Sequence, residues 1–101
     1  MKDSFVQVLV DVHCKWEDQE PIYRVYVGNE LFTERTWIWQ NVYLEENIPI
    51  LATNGVYTIR FETVDPESGR IKVRNHRVVT GPGKIIDYQG HTAVEISDAL
   101  E

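Results

Sequence analysis

The ten residues Phe5-Val6-Gln7-Val8-Leu9-Val10-Asp11-Val12-His13-Cys14 decide how the rest of the chain is read. Val6, Val8, Val10, Val12 and Cys14 occupy every second position. Gln7, Asp11 and His13 fall between them, with Phe5 and Leu9. A β-strand sends successive side chains to opposite faces, so this period describes a half-buried strand with a valine face turned inward. The same alternation returns downstream between glycine turns, with no helical segment between the repeats. The expected class is all-β: an antiparallel β-sandwich, jelly-roll or immunoglobulin-like, of eight to nine short strands in a single domain covering residues 1–101.

Working outward from 5–14, strands are expected at 22–27, 30–34, 36–40, 42–51, 56–64, 70–80, 84–89 and 92–97. Segments 36–40 and 42–51 read equally well as one long bent strand. Gly28-Asn29 has the form of a tight hairpin turn, since both residue types tolerate positive φ. Asp65-Pro66-Glu67-Ser68-Gly69 reads as a hairpin loop, after which 70–80 pairs back. Pro49 cannot donate to a ladder and is expected on an edge or at a bulge. Cys14 is the sole cysteine, so the cysteine pair of immunoglobulin domains is missing.

Bulk charge narrows the partners. Sixteen Asp and Glu outnumber ten Lys and Arg, for a net charge of −6. Binding to nucleic acid is not expected of such a chain, because phosphate recognition runs on a positive surface. No apolar run approaches the ~20 residues of a membrane span. One cysteine allows no intrachain disulfide and fits a reducing compartment. Met1-Lys2-Asp3 leads into an alternating strand instead of the apolar stretch of a signal peptide. Synthesis in the cytosol follows, with a virion as one destination. Against the acidic background, Arg70, Lys72, Arg74, His76 and Arg77 make one basic segment. It reads as a solvated strand face or as a patch for phosphate or glycan sulfate.

The catalytic and metal signals are thin. His13 and Cys14 are neighbours and so face opposite ways on a strand. Cys14 continues the valine face, where a thiol is inert. His76 and His91 have no nucleophile at a motif position, and no enzymatic activity is expected. No histidine or cysteine spacing suits zinc. Cofactors are expected to be absent, and calcium has only the acidic stretches 17–20, 45–47 and 65–67 to draw on.

The aromatics carry more. Trp37 and Trp39 flank Ile38, so on a strand both indoles share one face. They are either core or, with Tyr43, an exposed platform for sugar stacking or a protein contact. The 22–32 hairpin is apolar on both faces: Tyr23, Val25 and Val27 on one, Ile22 and Tyr26 on the other. Tyr23, Val25, Tyr26 and Val27 are therefore expected to meet another subunit or a larger viral assembly.

Two resemblances add to this reading. The run from Tyr23 to Trp37, then 43–48, then Gly55-Val56-Tyr57-Thr58-Ile59-Arg60-Phe61, resembles small proteins of marine T4-like tailed phages (cyanophages), over roughly residues 22–64. Those proteins have no established activity and lend no site residues. The likeness implies a viral origin and a virion accessory or host-interaction role. A second likeness, through Gly55-Val56-Tyr57 and Asp65, is to calcium-dependent carbohydrate-binding β-sandwiches. The asparagine–aspartate pair typical of those is replaced here by Val64-Asp65-Pro66. The sequence thus predicts a non-catalytic structural or interaction module, with a carbohydrate-binding module as the alternative.

Overall fold

A computed structural model describes residues 3–16, 19–38, 42–65 and 69–97. Among them are eight strands and no helix: β1 (Ser4–Trp16), β2 (Ile22–Val27), β3 (Glu30–Thr36), β4 (Tyr43–Ala52), β5 (Gly55–Thr63), β6 (Gly69–Thr80), β7 (Gly83–Tyr88) and β8 (His91–Ile96). They form a three-stranded sheet in the order β4-β1-β6 and a five-stranded sheet in the order β3-β2-β5-β8-β7. All pairings are antiparallel. The architecture is the expected β-sandwich.

The opening stretch is the centre of the smaller sheet. β1 pairs with β4 from Ser4 to His13 and with β6 from Gln7 to Trp16. Val6, Val8, Val10 and Val12 are completely buried. Ile48 and Ile50 of β4 lie in the same core. From the facing sheet come Tyr23, Val25, Ile59, Val94 and Ile96. Each fully buried valine or isoleucine contributes roughly 1.5–3 kcal/mol, so the valine face is a large share of what holds the sheets together. Pro49 lies opposite Gln7 on β4, an edge strand, the kind of position where proline is tolerated in a sheet.

Two expectations about connections need correction. The segment 70–80 does not pair back on 56–64. β5 has β2 on one side and β8 on the other, so β6 crosses to the second sheet and pairs with β1. The strand expected at 36–40 is not seen over its described residues either. β3 ends at Thr36 and Trp37-Ile38 lie outside any strand, and the next strand, β4, belongs to the other sheet; residues 39 and 40 lie outside the described residues.

Turn chemistry explains the true hairpins. At the β2–β3 tip Gly28 has φ +61 while Asn29 is not in the left-handed region. A type II′ turn requires positive φ only at its first central residue, which is the role of Gly28. At the β7–β8 tip both Gln89 and Gly90 have positive φ, the type I′ pattern, and the Gly90 N–H donates to the Asp87 carboxylate at 3.0 Å. The Gly81-Pro82-Gly83 crossover between the sheets is tighter. Gly81 has φ +93, and a Cβ there would lie 2.0 Å from the Phe5 carbonyl oxygen.

Candidate functional site

Trp37 is not an exposed platform. It is completely buried, and its ring lies 6.3 Å from Tyr23 at a tilt of 55°. Its backbone N–H donates to the Pro21 carbonyl at 2.8 Å, which fixes the indole at the base of the β2–β3 hairpin. Trp37 is therefore core and is unavailable to a sugar. Trp39 lies outside the described residues. Of the two described members of the expected trio, Tyr43 is the one that reaches solvent, at 52% exposure.

The expected hairpin contact surface is corrected in the same way. Tyr23 and Val25 are completely buried, and Val27 is half-buried against the core. The face of β2 that carries Tyr23 and Val25 is covered by the chain's own second sheet, so these two residues cannot meet a separate subunit. Tyr26 is on the other face, half-buried beneath the Arg60 guanidinium, 4.9 Å from the ring centroid. Ile22 and Leu31 remain exposed on this hairpin.

The reading of 45–47 as calcium ligands fails at Glu46, and the reason is a buried cluster that the sequence reading did not find. Glu46 of β4 is 1% exposed. Its carboxylate accepts a bond from the Tyr23 hydroxyl at 2.9 Å and a bidentate pair from Arg35 at 2.7 and 2.8 Å. Tyr23 belongs to β2 and Arg35 to β3, so one carboxylate ties the two sheets together. Burial first, then the Glu46 charge, pushes the Tyr23 phenol well above its ordinary range, so it stays a donor. The Glu46 bonds hold the Arg35 guanidinium more firmly charged. A signal was present: Glu46 is in phase with Leu44, Ile48 and Ile50. The cluster is structural, because its polar atoms are spent on one another.

The outer face of the three-stranded sheet is different. Register places Tyr43, His13 and Lys72 in one row across β4, β1 and β6, with Glu45, Asp11 and Arg74 in the next. Beyond Tyr43, Lys15 of β1 and Arg70 of β6 make a further pair. Inward-facing Val10 and Val12 alternate with these residues, so all of them point outward. The His13 and Tyr43 rings stack at 5.4 Å and 20°. Rows repeat about every 6.8 Å along the strands, and strands are about 4.8 Å apart.

The cations on this face fall into two groups. Arg77 is fully engaged: it reaches Asp11 at 3.2 Å, Glu45 at 3.7 Å and the Asn75 carbonyl at 2.8 Å. Asn75, with φ 58, sits where the β1–β6 register shifts, and its amide donates to Asp11 at 3.1 Å. The Asn75 bond, with help from Arg77, holds the Asp11 carboxyl below its ordinary range. Lys15, Arg70, Lys72 and Arg74 are exposed, and none forms an ion pair among the described residues. His76 is half-buried, and burial lowers its pKa, so it adds no charge near neutral pH.

At the other end of the molecule a groove of about 650 Å³ runs between the β2–β3 tip and the end of β4. Its wall is mostly apolar, with Phe32, Ile50 and Leu51 among the lining residues. The Tyr57 hydroxyl at its side is turned to the Thr53 carbonyl at 2.8 Å. Cys14 lies on the inner face of β1, where desolvation raises its pKa and keeps it a thiol. Among the described residues no three His, Cys, Asp or Glu side chains converge as a metal site. No protein-family model matches the chain, and neither does any curated protein or solved structure.

Proposed function

We propose that this domain is a non-catalytic interaction module whose contact surface is the outer face of the β4-β1-β6 sheet. One observation carries the reading. Four exposed cations with no ion-pair partner among the described residues, Lys15, Arg70, Lys72 and Arg74, lie beside the His13–Tyr43 stack in a chain of net charge −6. An acidic protein that keeps exposed cations together on one sheet face is arranged for an anionic partner. The phage-protein likeness of residues 22–64 supports a virion accessory or host-contact setting for such a module.

Retention on a sulfated-dextran resin at low salt and pH 7 tests the assignment. The wild-type chain is expected to be retained despite its net negative charge. The double variant Lys72→Glu/Arg74→Glu is expected to flow through, while Lys84→Glu, on β7 of the other sheet, elutes like wild type. Equal elution of the two variants overturns the assignment of this face.

A further inference from the structure

We propose that the ligand of this face is an acidic saccharide, its pyranose ring stacked on Tyr43 and its carboxylate or sulfate groups held by Lys72, Arg70 and Arg74. The inference rests on the contact surface proposed above and specifies its chemistry. Three features favour a sugar over other polyanions.

The first is the single aromatic platform. His13 stacks against one face of Tyr43 and leaves the phenol 52% exposed. One ring backed on one side offers one stacking surface. Single-stranded nucleic acids use a succession of aromatic platforms along a positive groove, and among the described residues no second exposed aromatic shares these rows. A sugar chain needs only one such surface, because its remaining contacts are polar.

The second is spacing. Tyr43 and Lys72 sit at opposite ends of one row, two strand spacings or about 10 Å apart at the backbone. That suits a pyranose on the tyrosine whose neighbouring residue carries the charge. Arg70, Lys72 and Arg74 repeat on alternate positions of β6 and extend the charge along the strand for about 13 Å. Arginine's planar fork matches carboxylate and sulfate oxygens two at a time.

The third is the acceptor beside the platform. Glu45 occupies the row below Tyr43 with a half-exposed carboxylate, in reach of ring hydroxyls. A DNA phosphodiester backbone offers it no donor and is repelled by it. A hydroxylated, anionic chain satisfies the cations and this carboxylate together.

Amide-shift titrations of the full chain separate the alternatives. The probes are tetragalacturonate, a chondroitin sulfate tetrasaccharide, neutral maltotetraose and a thymidine oligonucleotide of matched charge. Binding of either acidic saccharide is expected to shift the amides of His13, Tyr43 and Lys72, and maltotetraose is expected to cause no shift. Tyr43→Ala is expected to weaken the acidic saccharide at least tenfold, with Tyr43→Phe close to wild type. Tyr43 is a solvent-exposed side chain, and unchanged thermal melting confirms that the variants fold. Saccharide binding that is lost in Lys72→Glu/Arg74→Glu but unaffected by Tyr43→Ala overturns the sugar assignment and leaves the anionic contact surface standing. Tighter binding of the oligonucleotide than of both acidic saccharides overturns it in favour of nucleic acid. Absence of shifts with every anionic probe, together with no resin retention, overturns both proposals.

Discussion

The three-stranded sheet carries two charged clusters, one on each side, and they are opposites. On the inner side Glu46 is buried and both of its carboxylate oxygens are bonded within the chain, to Tyr23 and Arg35. On the outer side Lys15, Arg70, Lys72 and Arg74 are exposed, with no ion pair among the described residues. The two clusters share strand β4, where Tyr43 and Glu45 point outward and Glu46 inward. Removing one half of a buried pair strands a desolvated charge, whereas exposed charges are solvated whether paired or not. The inner cluster therefore belongs to the energetics of folding, and the outer one is free to serve recognition.

Substitutions can break this contrast, and the largest effect comes from an unpaired charge on the inner side. Val10→Asp places a second carboxylate directly opposite Glu46, whose Tyr23 and Arg35 partners are already engaged, at a cost of several kcal/mol against a total stability of about 5–15 kcal/mol. Loss of the cooperative thermal transition is expected; a melt near the wild-type temperature would contradict the burial of this face. Glu46→Ala should cost about 3 kcal/mol, toward the low end for a broken buried pair because Arg35 is partly solvated. Urea denaturation measures it, and a loss below 1 kcal/mol would mean that the cluster does not join the sheets. Tyr23→Phe keeps the ring and removes one donor to a charged acceptor, for an expected loss of about 1.5–2 kcal/mol by the same measurement.

Asp11 sharpens the contrast from the outer side. Its carboxyl is held below its ordinary value, first by Asn75 and then by Arg77. A depressed folded value means that the unfolded chain takes up the proton first. The contribution to stability is complete above the ordinary aspartate range and fades as pH falls below about 4. Asp11→Asn should therefore flatten the acid side of the stability profile and leave its shape at higher pH alone. A variant profile parallel to wild type below pH 4 would show that the Arg77–Asn75 arrangement contributes nothing.

How far the sequence could be read depended on how local the signal was. β1 was plain because period-two valine is a property of one segment, and a strand needs no knowledge of its partners to show it. The partner of β6 was not plain. A good turn between 65 and 69 says that the chain reverses, but not that the reversal stays in one sheet; that depends on which edges β2 and β8 have already occupied. Trp37 could not be placed because a tryptophan fits both a core and a binding surface. Its burial follows from the turn that brings it to Pro21. Glu46 was readable in part, as a charge in phase with Leu44, Ile48 and Ile50, but its partners lie on strands 11 and 23 residues away. The outer face needed the β1–β6 register, which brings His13 beside both Tyr43 and Lys72.

Register also fixes where the two ends of the described chain emerge. Ser4, at the start of β1, lies opposite Ala52, and Ile96, at the end of β8, lies opposite Gly55, three residues further on. Both ends of the described chain therefore lie at the same pole of a body 48 Å long and 21–23 Å across. His13 lies nine residues along β1 from Ser4, about 30 Å toward the other pole. A tether at either end, whether a linker, a resin or a larger particle, holds the domain like a peg by its foot and leaves Tyr43, Lys72 and Arg70 near the free tip.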